Sequence, residues 1–182
     1  MDLKFRYGCR IDDYGRKVSY IESADSEYLG YVYRDLHLNY PKFFKMDDLS
    51  KVGFLAVERL MIEYANLLDV KTTGVVFFSK EASLPTDRHF EETICDTENF
   101  FPSPSIFVYT LPNIVCGEVC IRHGFQGETS FYVLENYDVD VVKNICCDML
   151  ANNSAVICGV VDFPDGGFSA QAEVFTAVSL KI

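Results

Sequence analysis

Positive charge and histidine are both scarce in this sequence. Lys and Arg number 16 against 27 Asp and Glu, a formal charge of −11 over 182 residues. A phosphate backbone would be repelled by that average field, because nucleic-acid affinity comes largely from neutralising phosphates. An anionic membrane surface is disfavoured on the same ground. Acid–base work at neutral pH usually recruits histidine, and the three present, His37, His89 and His123, leave none after position 123. Long apolar runs are missing too, since charges interrupt each one before bilayer-spanning length. Met1 to Arg6 lacks the basic-then-apolar layout of a secretion signal. No GxGxxG, Walker, GxSxG or HExxH motif occurs. The expectation is a cytoplasmic protein with no nucleic-acid or membrane partner and no cofactor.

What is present suits one globular domain over residues 1–182: 49% of residues are apolar, 24% charged and 14% aromatic. Seven cysteines stand at 9, 95, 116, 120, 146, 147 and 158. An odd number in apolar surroundings predicts reduced, buried thiols rather than a disulfide framework. Cys116, Cys120 and His123 share one helical face and could hold zinc. That helix must bury a face, however, and no second ligand pair is evident, so no metal is expected. Adjacent helical residues point about 100° apart, so at least one of Cys146 and Cys147 turns inward. Cys158 lies within a buried strand pattern, where a thiol is inert.

The pattern of the first forty residues is mixed, with strands at Leu3–Arg10 and Lys17–Ile21 around a turn at Asp12 to Gly15. Asp47 or Asp48 can cap a helix carrying Leu49, Val52, Ala56, Leu60, Tyr64 and Leu67. Thr73–Ser79 reads as a buried strand and Arg88–Cys95 as a short helix. Pro102 and Pro104 predict a loop. Thr110 can cap a helix running to Arg122 or His123 and stopping at Gly124. Ser130–Leu134 (strand), Asp138–Leu150 (helix) and Ala155–Asp162 (strand) follow, with Ala172–Lys181 as an edge strand. The alternation predicts an α/β fold around a mixed or mostly parallel sheet. Glu135, Asn136, Asp138 and Asp140 crowd the turn before the third long helix. They can serve as helix caps or as a site at the carboxyl end of a strand, where open α/β sheets bind ligands. Lys42, Lys45, Lys51 and Arg59 form the best basic patch, although Asp47 and Asp48 sit among them.

The stretch from Pro104 to Gly127, PSIFVYTLPNIVCGEVCIRHGFQG, resembles the β-ketoacyl synthase family, in which a proline-serine loop enters a helix of the form PNxxxGxxxIRxGxxG. Lys42–Lys51, Gly74–Ser79, Ser83–Arg88 and Ala155–Val161 are similar to other segments of that family, in the same order, over most of residues 40–165. The resemblance implies the N-terminal half of a thiolase-like protein: a five-stranded mixed sheet with helices on both faces. It also implies that strand Ser130, Phe131, Tyr132, Val133 and Leu134 pairs across a dimer axis.

Departures from the family carry as much weight. Counting from Gly127, Asn136 takes the place of the acyl-accepting cysteine, with Glu135 and Tyr137 beside it. The family's catalytic histidines follow the nucleophile, and here no histidine does. Asparagine cannot form the thioester. The resemblance therefore implies a degenerate half-synthase: an auxiliary or scaffold subunit of fatty-acid or polyketide-type biosynthesis. Its partner would be a second copy or a ketosynthase-like chain, and Lys42 and Lys45 could dock an acyl carrier protein. The alternative is an acyl-handling enzyme that is completed by a partner chain or uses Glu135, Asn136 and Asp138. A third reading is a module binding an acyl chain or phosphopantetheine arm beside Phe100–Phe101 and Ile106–Tyr109.

Overall fold

The chain opens on an antiparallel hairpin, β1 (Arg6–Ile11) and β2 (Lys17–Ser23), with Arg6 opposite Glu22 and Ile11 opposite Lys17. The computed structural model describes residues 5–13, 15–23, 25–64, 66–98, 100–163 and 167–177, so positions 3, 4 and 14 of the expected hairpin lie outside it. Next comes α1 (Ser26–Asp35), a helix that the mixed sequence before position 40 does not announce. Asp25 caps it by accepting the Tyr28 amide at 3.0 Å. After a 3₁₀ turn (Pro41–Lys45), α2 (Asp48–Tyr64) buries the expected Leu49, Val52, Ala56 and Leu60, while Leu67 falls past its end and is exposed. Asp47 caps this helix, accepting the Ser50 amide at 3.0 Å.

All seven residues of β3 (Thr73–Ser79) are buried, as a strand covered on both faces requires. α3 (Leu84–Glu92) begins before the expected Arg88, because Pro85 fits the first turn of a helix. The proline segment is not all loop: Ser103 caps a short α4 (Pro104–Val108). Thr110 does not cap the next helix. Its hydroxyl donates back to the Phe107 carbonyl at 2.7 Å, and α5 (Ile114–His123) starts after Asn113. Gly124, with φ 75°, ends α5 in the left-handed conformation that glycine tolerates. β4 (Thr129–Val133), α6 (Val139–Met149), β5 (Ala155–Asp162) and β6 (Phe168–Thr176) complete the chain.

The sheet has six strands, not five, in the order β1-β2-β6-β5-β3-β4. β3 runs parallel to β4 and β5, whereas β6 is antiparallel to both β5 and β2. The expected last strand therefore starts earlier, at Phe168, and is internal rather than an edge; positions 178–181 of that expectation lie outside the described residues. Its alternation has another cause. Ala170, Ala172 and Val174 pack in the main core, while Gln171 accepts from Arg10 at 3.1 Å and Glu173 pairs with Arg16 at 3.0 Å.

Two cores result. One joins α1, α2 and α5 to the sheet through residues such as Leu29, Phe54, Leu60, Phe77, Val115 and Ile157. The other lies on the opposite face, where α6 contributes Cys146 and Met149 over Val76, Phe78, Val156 and Phe175. This is an α/β fold with a mixed sheet and helices on both faces. Its parallel strands point their carboxyl ends to one edge. Among the described residues no helix is long and apolar enough to cross a membrane.

Candidate functional site

β4 forms because Phe131, Tyr132 and Val133 are good strand residues and because β3 offers a parallel partner, Val75 opposite Thr129 through Ser79 opposite Val133. Phe131 packs toward the main core, and Tyr132 stacks on Phe78 with ring centroids 5.5 Å apart. The other side of β4 has no neighbouring strand among the described residues, so β4 ends the sheet. Val133 is 57% exposed and Tyr132 36%. Phe107, Val108 and Leu111, from α4 and the connection to α5, are also exposed.

α5 holds this edge in place. The Cys116 thiol donates to the Ser130 carbonyl at 3.4 Å. α5 is in turn fixed to α2 and to the segment before α2 by buried carboxylates. Glu58, 6% exposed, accepts from Arg122 Nε at 2.9 Å, and His123 Nε2 lies 3.1 Å from the same oxygen. Glu118 accepts from the Tyr40 hydroxyl at 2.7 Å and from Lys42 at 3.1 Å. Burial, with the Glu118 carboxylate beside it, pushes the Tyr40 pKa up.

At the turn after β4, Glu135, Asn136 and Asp138 are all exposed. Asp138 is occupied as the cap of α6, accepting the Asp140 amide at 2.8 Å. Only Tyr137 reaches inward from these positions. Lys80 Nζ lies 5.1 Å from its ring centre, and its buried hydroxyl faces Asp162 short of a well-formed hydrogen bond. Burial first, and then the Asp162 carboxylate, push the Tyr137 pKa up. Asp162 accepts the Lys80 amide at 3.0 Å, and Lys80, Glu81, Asp162 and Phe163 line a cavity of about 140 Å³. Sequence reasoning missed this group because its members come from the ends of three strands that only the topology brings together. The one available signal was that all three positions follow apolar strand runs.

The basic patch is largely neutralised. Lys42 pairs with Glu118 at 3.1 Å, Lys51 with Asp48 at 3.0 Å and Arg59 with Glu63 at 3.5 Å, leaving Lys45 as its exposed, uncommitted cation among the described residues. Cys116, Cys120 and His123 do not converge: the first turns to β4 and the last to Glu58, and burial pushes the Cys116 thiol up to about 12 and the Cys120 thiol to about 11. Cys146 is buried and Cys147 exposed, as adjacent helical positions require, and Cys158 is buried.

No protein-family model and no curated protein matches the sequence. Solved structures do match. The ketosynthase ApeO in complex with its chain length factor ApeC from Xenorhabdus doucetiae aligns with a TM-score of 0.62 at 10% identity, over 94% of this chain and 80% of the matched one. The ishigamide ketosynthase/chain length factor aligns at 0.58 with 18% identity, over 75% of this chain and 46% of that one. A type II polyketide synthase acyl-carrier protein in complex with its ketosynthase aligns at 0.58 with 12% identity, over 97% and 62%. The chain thus spans most of the first match but less than two thirds of the other two. At these identities the likeness is one of architecture: this chain has the thiolase-like α/β fold of ketosynthases and chain length factors.

Proposed function

We propose that this chain is a ketosynthase-like auxiliary subunit that does not itself condense acyl units. It joins a ketosynthase-like chain through β4, in polyketide- or fatty-acid-type biosynthesis. The observation that carries the reading is the open edge. Among the described residues β4 has a strand neighbour on one side only, and such an edge, with Tyr132 and Val133 exposed along it, is a template for another strand.

Three further points support it. The similar structures include a ketosynthase with its chain length factor, and the chain matched there is little longer than this one. The resemblance puts Asn136 where condensation needs a thiolate, and an exposed amide supplies no nucleophile. A heterodimer is favoured over a homodimer, because two copies of this chain would still lack the cysteine. The alternative enzyme built on Glu135, Asn136 and Asp138 finds no such support, since all three are solvated and Asp138 is taken as a cap. Docking of an acyl carrier protein falls to Lys45, because Lys42 is held by Glu118.

Val133→Asp tests the edge. Its side chain is mostly in water already, so the variant should fold with an unchanged melting temperature and yet lose capture of a co-expressed complete ketosynthase. Equal capture by the variant and the parent chain would refute pairing through β4.

A further inference from the structure

A cavity of about 510 Å³ opens beside the first turn of α2, within the ~300–1,000 Å³ typical of small-molecule sites. Its apolar wall includes Leu49 of α2, Ile106 of α4, Tyr109 just after it, Phe163 after β5 and Phe168 at the start of β6. The Phe163 and Phe168 rings meet edge to face at 5.6 Å. Into this wall is set Asp47. One carboxylate oxygen accepts the Ser50 amide at 3.0 Å and the other the Thr86 hydroxyl at 2.9 Å, both neutral donors. No cationic side chain among the described residues pairs with it; Lys51 is on Asp48, and burial pushes the Asp47 carboxyl up. Lys45, Asp48 and His89 complete the charged lining, His89 lying 3.3 Å from Glu92.

Asp47 is half-buried, and a carboxylate partly withdrawn from water with no cation paired to it among the described residues keeps an unspent attraction for one. Each oxygen of Asp47 keeps a lone pair for a further donor. We propose that the cavity takes an organic ammonium ion with an aromatic or branched apolar body, its N–H groups donating to Asp47 and its charge facing the rings of Tyr109, Phe163 and Phe168. Aromatic faces attract such cations, and the chain's net charge of −11 draws them in and repels carboxylates. This site is independent of pairing through β4.

Three probes with similar bodies test it on the full chain by amide NMR titration at neutral pH: 2-phenylethylamine, 2-phenylethanol and 3-phenylpropanoate. The amine should bind in about the millimolar range expected for a fragment of its size. The alcohol should bind about tenfold more weakly, and the carboxylate should show no saturable shift. Asp47→Asn keeps a capping oxygen for α2 and should bring the amine to within about threefold of the alcohol. Ile106→Trp fills the cavity and should abolish both. Equal binding of amine and alcohol to the parent chain, amine binding unchanged in Asp47→Asn, or no shift at residues 45–49 and 106–109 would each overturn the proposal. The three-probe comparison needs no variant, so it decides even if Asp47→Asn does not fold.

Discussion

Replacing Gly159 with Ala probes the packing that spaces the central strands. The added methyl would lie 2.5 Å from Cδ1 and 2.8 Å from Cζ of Phe77, where ordinary contact begins at 3.4 Å. The ring cannot step aside. Phe77 has no exposed surface, and its Cε1 already lies 3.0 Å from where a Gly53 side chain would begin. Overpacking of this kind costs about 1–3 kcal/mol, offset by roughly 0.5–1 kcal/mol because alanine loses less conformational freedom than glycine in a strand. The net is a loss of about 1–2 kcal/mol, which for a chain of this length lowers the thermal midpoint by roughly 2–8 °C. Melting followed by circular dichroism reads it directly. Phe77→Leu removes the obstructing ring edge, so the double variant should lose at least ~0.5 kcal/mol less than the sum of the two single changes. An unchanged midpoint for Gly159→Ala, or strict additivity in the double variant, would refute the reasoning.

Glu58 predicts a dependence on acid. Burial pushes its carboxyl up, but the His123 imidazole 3.1 Å away and the hydrogen-bonded Arg122 guanidinium outweigh burial and hold it below the usual carboxylate range. A group lowered in this way stabilises the fold above its unfolded pKa of about 4.3 and loses that contribution as pH falls through the folded value. Glu58→Gln should therefore melt lower at neutral pH and show a flatter decline in acid; parallel melting curves would contradict this. Among the thiols, Cys95 and Cys147 are exposed and should react with Ellman's reagent in the native protein, whereas Cys116, Cys146 and Cys158 should react only after denaturation. Asp138→Ala should lower stability by about 0.5–2 kcal/mol through loss of the α6 cap, while Glu135→Ala should stay within ~0.5 kcal/mol. A reversed order in chemical denaturation would mean that Glu135 has a buried role.

Much of the architecture was legible because burial on two faces leaves a plain signature. Thr73–Ser79 and Ala155–Asp162 are near-continuous apolar runs, and both are internal strands, paired parallel to each other. The spacing of Leu49, Val52, Ala56 and Leu60 marked α2 for a similar reason. β6 misled because alternation records two different environments, not which of them is water: the polar face of Gln171 and Glu173 is met by Arg10 and Arg16. α1 carries its apolar Leu29, Val32 and Tyr33 at helical spacing, but Gly30 and three tyrosines in ten residues are poor helix formers and masked it, and Thr110 had a nearer carbonyl to bond than the amides of α5. The strand of Phe131 to Val133 and the turn around Asn136 were legible in place. The Lys80, Tyr137 and Asp162 grouping was not, since it joins residues distant along the chain; of the Asp47 cavity only the Ile106 and Tyr109 wall was legible, as the flank of the proline segment.

The mass in solution of this chain mixed with a complete ketosynthase tests the central claim most directly. An auxiliary subunit should form a mixed complex of one chain of each, heavier than either alone and lost in Val133→Asp. A chain that stays monomeric, or forms a homodimer indifferent to the ketosynthase, would contradict it.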